Sequence, residues 1–183
     1  MQRCFWCNTK NPKYVEYHDC EWGRVNFDDS YIFEMILLES FQAGLSWECV
    51  LNKREGFIAA FDNFDYEKIA NYSEEKLMSL HNFDGIIKNK LKISAAKSNA
   101  KVFISLIKEY GSFENYLRLF WDGKIIYDNV SVSSPLSDAI STDLKKRGIK
   151  FFGTTIAHSF LQAIGVVYAH DEKCFLFCQK MDL

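Results

Sequence analysis

The chain has 183 residues, a hydrophobic fraction of 48%, and 22 Lys and Arg against 24 Asp and Glu. This length favours a single domain, which we predict to span residues 1–183. The net charge of −2 lacks the strongly basic footprint of most nucleic-acid binders, so any such contact would rest on a small local patch. No signal-peptide core opens the chain, and no apolar run approaches the roughly 20 residues of a membrane helix. These features predict a cytoplasmic protein that has no membrane partner and keeps its cysteines reduced.

Helical periodicity and capping residues predict an all-α fold. Residues 1–27 are rich in Cys and aromatic side chains and show little periodicity. The predicted helices cover residues 31–42, 46–54, 55–61, 66–70, 74–80, 88–110, 112–120, 137–147 and 153–164. A turn built on Asp84 and Gly85 separates the fifth helix from the sixth. The stretch 121–135 is interpreted as a loop, because the apolar run 124–127 has no evident partner strand.

The first predicted helix contains an unusual carboxylate. Glu39 lies near the end of the apolar run from Phe33 to Phe41, just before a turn at Gly44. Acidic side chains are rarely buried without a partner, because an unpaired buried charge is unfavourable. The residues alone leave two interpretations open: Glu39 either faces solvent or has a function.

The distribution of Cys and His predicts a structural metal site. His170 and Cys174 are four residues apart and would share one face of a helical turn. The first 20 residues supply further thiols and imidazoles: Cys4, Cys7, His18 and Cys20. Structural zinc takes four Cys or His ligands, so two ligands from each end of the chain would tie the termini together. Spacing leaves Cys7 as a rival ligand and Cys178 as a spare thiol, and it also permits a group of ordinary buried thiols and histidines.

Several longer motifs identify a known family. They are Arg3-Cys4-x-Trp6, Tyr14-x-x-Tyr17-His18-Asp19-x-Glu21-Trp22-Gly23, Phe33-Glu34-Met35-Ile36-x-Leu38-Glu39, Gln42-Ala43-Gly44-Leu45-Ser46-Trp47, Gly85-Ile86-Ile87, Lys145-Lys146-Arg147-Gly148 and Phe151-x-Gly153-Thr154-Thr155-Ile156. In these runs the chain resembles the 3-methyladenine DNA glycosylase I family, within the helix-hairpin-helix glycosylase superfamily, nearly end to end. The resemblance implies a helix-hairpin-helix fold with two lobes, one stapled by zinc at the termini and one covering about residues 30–150.

The resemblance also implies the ligand set of the metal. One structural zinc ion would be held by Cys4, His18, His170 and Cys174. The other four cysteines, Cys7, Cys20, Cys49 and Cys178, would be ordinary thiols.

The implied substrate is double-stranded DNA that contains N3-methyladenine, a base whose ring is cationic. The base-binding pocket would be formed by Trp6, Tyr14, Tyr17, Trp22, Glu39 and Trp47. In this pocket Trp47 and Tyr17 would sandwich the ring through cation–π contacts, while Glu39 accepts hydrogen bonds from its exocyclic amine. Trp6 could equally pack against the zinc ligands. We predict Glu39 as the catalytic residue, and leave open whether it activates water or only binds the base.

The implied DNA contacts lie in two turns. Gln42, Gly44 and Leu45 would form a wedge that fills the space left by the extracted nucleotide. Gly85, Ile86 and Lys88 would belong to the hairpin, whose backbone amides would hold a phosphate. A basic strip of Lys88, Lys90 and Lys92, together with Lys145, Lys146, Arg147 and Lys150, would add positive charge.

Two departures from the superfamily pattern define the predicted activity. The run from Gly153 to Phe160 lacks the superfamily's catalytic Asp, and the hairpin lacks the Lys of bifunctional members. The prediction is therefore a monomeric, monofunctional enzyme that hydrolyses the N-glycosidic bond and leaves an abasic site. The alternative is a non-catalytic, zinc-stapled helical DNA-binding module, in which the pocket is only core.

Overall fold

The computed structural model describes residues 1–177 and shows a mostly helical fold. Its ten α-helices are α1 (Pro12–Cys20), α2 (Asp29–Gln42), α3 (Trp47–Leu51), α4 (Arg54–Ala60), α5 (Tyr66–Ala70), α6 (Glu74–His81), α7 (Lys90–Tyr110), α8 (Phe113–Leu117), α9 (Pro135–Arg147) and α10 (Thr154–Ala163). A 3₁₀ turn covers Asp62–Phe64, and two short strands are β1 (Ile126–Tyr127) and β2 (Val167–Tyr168). The predicted thiol Cys178 lies outside the described residues. Within these residues, no helix combines the length and apolar character that a membrane crossing needs.

Helix α2 is the axis of the core. Asp28 caps it by accepting hydrogen bonds from the backbone amides of Ser30 and Tyr31. Between residues 32 and 41 every side chain except Glu34 is buried, which is typical of a helix surrounded by others. Helices α3, α7, α8 and α10 and the 3₁₀ turn all pack against it. Its carboxyl end is therefore well placed to support a site.

Local capping signals predicted most helices correctly. Asp65, Ser73 and Ser112 each accept a hydrogen bond from the backbone amide three residues later, at the starts of α5, α6 and α8. Helix α7 begins at Lys90 rather than residue 88, because the Asn89 side chain caps it by accepting from the amide of Lys92. Such caps act within a single turn and are therefore readable in the sequence.

Three predictions about local structure were wrong. Residues Pro12–Cys20 form helix α1, although the apolar periodicity there is weak. Strand β1, predicted as loop, pairs in parallel with β2, which lies about 40 residues further along the chain. His170 and Cys174 are joined by a non-helical turn, in which the amide of Cys174 donates to the carbonyl of Asp171 at 2.8 Å.

The two ends of the described chain pack together. The amide of Phe175 donates to the carbonyl of Gln2 at 2.9 Å, and the amide of Phe5 donates to Oδ2 of Asp171 at 2.7 Å. These hydrogen bonds bring residues 2–5 next to residues 171–175. The predicted proximity of the two ends of the chain is confirmed.

A contact between two glycines fixes the α6–α7 turn against α4. A Cβ atom added to Gly56 would lie 2.1 Å from the carbonyl oxygen of Gly85, so the two backbones touch directly.

We expect Gly56→Ala to lower the free energy of unfolding by about 1–3 kcal/mol, the usual effect of overpacking. Urea titration measures this change. Glu55→Ala, at an exposed neighbour on the same helix, serves as the control and should change the value by less than about 1 kcal/mol. Equal values for the two variants would show that the turn can move away freely.

Candidate functional site

Four predicted metal ligands form one buried group. The ligand atoms of Cys4, His18, His170 and Cys174 all lie within 4.8 Å of one another. Sγ of Cys174 is 3.5 Å from Nε2 of His18 and 3.6 Å from Nδ1 of His170, and Sγ of Cys4 is 3.4 Å from the same Nδ1. A tetrahedral ion with ligand distances of about 2.0–2.3 Å has edges of roughly 3.3–3.8 Å. The group could therefore hold one metal ion that joins the two termini.

Outer contacts orient these ligands. Nδ1 of His18 lies 2.7 Å from Oδ1 of Asp19, which leaves Nε2 directed at the group. Asp19 is held in turn by an ion pair with Arg3 at 2.7 Å. The amide of Asp171 donates to Sγ of Cys4 at 3.3 Å. Carboxylate–histidine pairs and amide–thiolate bonds are the usual supports of protein metal ligands.

Burial disfavours the charged forms of these side chains. Burial raises the pKa of the Cys4 thiol, and burial together with nearby His18 lowers the pKa of His170 to about 4. A neutral imidazole is the form that binds metal, and a bound cation converts a coordinating thiol to thiolate. The rival thiol Cys7 lies outside the group, since its Sγ faces the carbonyl of Tyr14 at 3.8 Å.

Next to the metal group lies a cavity that contains all six predicted pocket residues. The volume of the cavity is about 160 Å³. Its lining consists of Trp6, Tyr14, Tyr17, Trp22, Glu39, Gln42, Trp47, Ser159 and Gln162. The cavity thus combines aromatic walls with a few polar groups, the composition typical of small-molecule sites.

Glu39 is buried in this cavity rather than exposed to solvent. Glu39 is only 3% exposed, and its Oε2 atom has no hydrogen-bond partner among the described residues. Desolvation raises the pKa of the Glu39 carboxyl well above its usual value of 4.5. A buried, unpartnered carboxylate is destabilising, so its presence indicates a ligand that supplies positive charge or hydrogen-bond donors.

Two more unsatisfied polar atoms face the same cavity. Oε1 of Gln42 and Nε1 of Trp47 are buried and have no partner within the described part of the chain. Gln42 was predicted as a DNA contact, and the structure places it in the pocket lining as well. Gly44, at φ +83°, turns the chain between these residues, and Ser46 caps α3 by accepting from the amide of Cys49. The turn therefore brings Glu39, Gln42 and Trp47 to one corner.

The aromatic rings are packed more tightly than a sandwich would allow. The centroids of Tyr17 and Trp47 are 5.3 Å apart and their planes are tilted by 48°. A base stacked between two rings needs about 7 Å between them, twice the usual contact distance. The predicted sandwich therefore requires these two rings to separate.

Trp6 lies where both of its predicted roles would place it. Its ring lies 5.2 Å from the ring of His18 and 4.7 Å from that of Trp22, while also lining the cavity. Trp22 in turn lies 4.7 Å from His170. The metal group and the cavity thus share a wall.

The predicted wedge is exposed at the mouth of this corner. Leu45 is 44% exposed, and nothing lies within 4 Å of the position of a Cβ on Gly44. The amide of Leu45 donates to the carbonyl of Gln42 at 2.6 Å, which closes the turn. An exposed leucine on a closed turn has the form of an apolar plug.

The hairpin residues have mixed surroundings. Lys88 is exposed and pairs with Asp84 at 2.6 Å, whereas the Ile86 side chain is buried, so Ile86 could meet DNA only through its backbone. Gly85 packs against Gly56. Lys92 was wrongly assigned to the exposed basic strip, because it is 6% exposed and its ammonium bonds to α2.

Two pocket residues were missed from the sequence. Ser159 and Gln162 line the cavity from α10 and were not predicted. Their spacing of three residues places them on one face of a mainly apolar helix, and this pattern was the available signal.

Comparisons with known proteins agree on one family. A family model described as methyladenine glycosylase matches residues 6–177. DNA-3-methyladenine glycosylase 1 of Escherichia coli (strain K12) is 41% identical over 180 residues, which cover 95% of this chain and 96% of that protein. A crystal structure of 3-methyladenine DNA glycosylase I shares 43% identity and a TM-score of 0.91, and covers 98% of this chain and 100% of that one. The Staphylococcus aureus structure, described as the basis of 3-methyladenine recognition, shares 32% identity and a TM-score of 0.89, with 94% and 95% covered.

Proposed function

The chain belongs to the methyladenine glycosylase family, and from this premise we propose that it removes N3-methyladenine from double-stranded DNA. The observation that carries the proposal is the set of three buried, unsatisfied polar atoms in one ring-lined cavity: Oε2 of Glu39, Oε1 of Gln42 and Nε1 of Trp47. The family comparison does not favour the alternative of a non-catalytic DNA-binding module. In that module the cavity would be core, and a core does not keep a lone carboxylate.

The charge of the substrate explains the pocket. Methylation at N3 makes the adenine ring cationic and weakens its bond to the sugar. Glu39 complements this charge and accepts a hydrogen bond from the exocyclic amine, and the rings of Tyr17 and Trp47 add cation–π attraction. Unmodified adenine is neutral and lacks most of these attractive interactions, so the charge of the base explains selectivity for N3-methyladenine over adenine.

The reaction is a hydrolysis. The N-glycosidic bond breaks, its electron pair leaves with the base, and neutral 3-methyladenine results. Water adds at C1′ of the sugar and loses a proton, which leaves an abasic site. The enzyme must first extract the nucleotide from the stack, at a cost of a few kcal/mol. Glu39 is the proposed catalytic residue because it supplies the one carboxyl group among the residues that line the cavity.

The DNA contacts come from the two turns. Leu45, Gly44 and Gln42 would fill the space left by the base, and the backbone around Gly85 and Ile86, with Lys88, would hold a phosphate. The protein is proposed to act on the duplex as a monomer. The proposed two-lobe organisation places the pocket between the metal-stapled termini and the helices of residues 30–150.

Zinc is the proposed metal. Two thiols and two imidazoles in a closed tetrahedral group are the donor set of structural zinc sites, which leave no open position for catalysis. When bound, the ion supplies the charge that holds both thiolates and fixes α1 against the end of the chain. No step of the reaction uses it.

An excision assay tests the proposed function. The protein is incubated with duplex DNA treated with a methylating agent, and the released bases are separated by chromatography. We expect 3-methyladenine to be released well above the buffer control, and no adenine from untreated DNA. Absence of release by a folded, metal-loaded protein would contradict the enzyme and support the binding module.

A further inference from the structure

Lys92 is a buried ammonium that joins two separate segments. Its Nζ atom donates to the carbonyl oxygen of Phe41 at 2.8 Å and to that of Ala43 at 2.6 Å. Both carbonyls belong to the carboxyl end of α2, where the last groups of a helix lack partners within the helix. Lys92 therefore satisfies these carbonyls from a different helix, α7.

This contact is electrostatically favourable although the side chain is buried. The carboxyl end of a helix carries a partial negative charge, and an ammonium placed there is stabilised. Desolvation lowers the pKa of Lys92 from its ordinary value of 10.5. Its position nevertheless meets two carbonyl oxygens at short distances, a geometry that a flexible surface lysine does not hold.

The two segments that Lys92 joins are the two proposed DNA contacts. The carbonyl of Ala43 opens the wedge turn of residues 43–46, which presents Leu45 to solvent. Lys92 is the third residue of α7, and α7 begins directly after the hairpin turn of residues 82–89. One side chain thus links the wedge turn to the helix that follows the hairpin.

A second buried polar residue extends the same face of α7. Asn99, seven residues after Lys92, donates from Nδ2 to the carbonyl of Lys150 at 3.1 Å and accepts from the amide of Lys150 at 2.8 Å. The neighbouring Phe151 has a left-handed φ of +58°, and the Lys92 ammonium lies 5.8 Å from its ring. Two side chains of helix α7 therefore hold two loops by hydrogen bonds to main-chain groups.

We propose that Lys92 is a positioning residue for excision from DNA: it holds the wedge turn at a fixed distance from the hairpin, so that phosphate binding and insertion of Leu45 occur together. This inference rests on the proposed function. Lys92 does not line the base pocket, so it acts on the duplex and not on the free base.

The first test distinguishes an effect on excision from duplex DNA from an effect on binding of the free base. Lys92→Met keeps the length and apolar packing of the side chain and removes its three donors. We expect kcat/KM for release of 3-methyladenine from methylated duplex DNA to fall roughly 10- to 100-fold, as small misplacements of reacting groups do. The Kd for free 3-methyladenine, followed by tryptophan fluorescence, should change less than about twofold, because Lys92 bonds to main-chain carbonyls and is not among the residues that line the pocket. Lys92→Arg, which can donate to both carbonyls, should recover most of the activity.

Lys101→Met is the matched control. Lys101 is exposed on the same helix, and its replacement removes the same charge without touching α2. Its activity should match that of the original protein. Equal losses in both variants would show that only the net charge of α7 matters, and would overturn the proposal.

A double-mutant cycle tests the connection to the wedge. If Lys92 acts through the placement of Leu45, Lys92→Met should cost much less activity in a Leu45→Ala background than alone. Additive losses would overturn the proposal, as would a parallel loss of free-base binding, which indicates a collapsed pocket. Release by the original protein is measured in the same experiment, so a failure of the proposed function is seen separately. If Lys92→Met does not fold, Lys92→Gln, whose shorter side chain has two donors instead of three, replaces it in the same cycle with Leu45→Ala.

Discussion

Glu39→Gln should abolish most of the excision activity while leaving the fold intact. The amide keeps the shape of the side chain but removes the negative charge that complements a cationic base. A hydrogen bond to a charged group contributes about 1.5–3 kcal/mol, so kcat/KM should fall about 100-fold. Metal content and helicity should be unchanged, since Glu39 touches neither the metal group nor a helix cap. An unchanged rate would remove Glu39 from the site.

Glu34→Gln is the matched control for charge on the same helix. Glu34 faces away from the cavity and forms an ion pair with Arg54 at 2.7 Å. Its replacement should leave kcat/KM within about threefold but lower stability, because Arg54 loses a partner. A comparable loss of activity in this variant would mean that the effect of Glu39→Gln comes from the charge of α2 and not from the pocket.

The buried carboxyl also predicts an acid limb in the pH dependence of activity. The ionised form is the one that attracts the cationic base, and burial raises the pKa of Glu39 above its usual 4.5. As pH falls through this raised value, Glu39 becomes neutral and kcat/KM should decline in proportion. The limb should disappear in Glu39→Gln. A limb of equal position in both proteins would assign the titration to another group.

The same pKa shift predicts that Glu39→Gln stabilises the protein near neutral pH. Below pH 4.5 the carboxyl is protonated in both folded and unfolded chains, so the two proteins should have similar stability. Above pH 4.5 the carboxyl loses its proton in the unfolded chain but keeps it in the folded chain. The free energy of unfolding of the original protein therefore falls by up to about 1.4 kcal/mol per pH unit. The difference should grow until the pH reaches the raised pKa. Thermal unfolding at several pH values measures it, and a difference that does not vary with pH would contradict the burial of Glu39.

Cys174→Ser should have the second large effect, on metal content and stability together. The protein should contain about one zinc ion per chain, and the variant much less, since the group loses one of its four ligands. Structural zinc contributes apparent free energies of about 10–16 kcal/mol in small peptides, so a loss of at least several kcal/mol is expected here. Excision should fall as well, because His18 shares α1 with Tyr14 and Tyr17, which line the cavity.

Cys20→Ser is the control for this variant. Cys20 is an exposed thiol at the end of α1, outside the ligand group. Its replacement should leave zinc content, measured by mass spectrometry, and the unfolding temperature unchanged. Full zinc content in Cys174→Ser would show that the ligand set is wrong, and zinc lost from Cys20→Ser would show that Cys20 belongs to it.

Much of the helical fold could be read from the sequence, because its signals are local. A cap such as Asp65 or Ser73 bonds to an amide three residues away, so its effect is contained in one short stretch. The ligand group and the pocket residues followed from motifs shared with a family. Local signals failed where the partner is distant, as in the pairing of Ile126 with Val167.

By itself, the sequence determined the all-α class and most helix starts, and motifs shared with a family predicted the residues that the structure brings together as a metal group and a pocket. Only the tertiary structure decided that Glu39 is buried without a partner, that Ser159 and Gln162 complete the cavity, and that Lys92 is an internal tie. The physical reason is that burial is a property of packed segments, not of a stretch of chain. The sequence of α7 alone predicts that Lys92 is an exposed charge. Lys92 is buried because it packs against the end of α2, about 50 residues earlier, and donates hydrogen bonds to the carbonyl groups there.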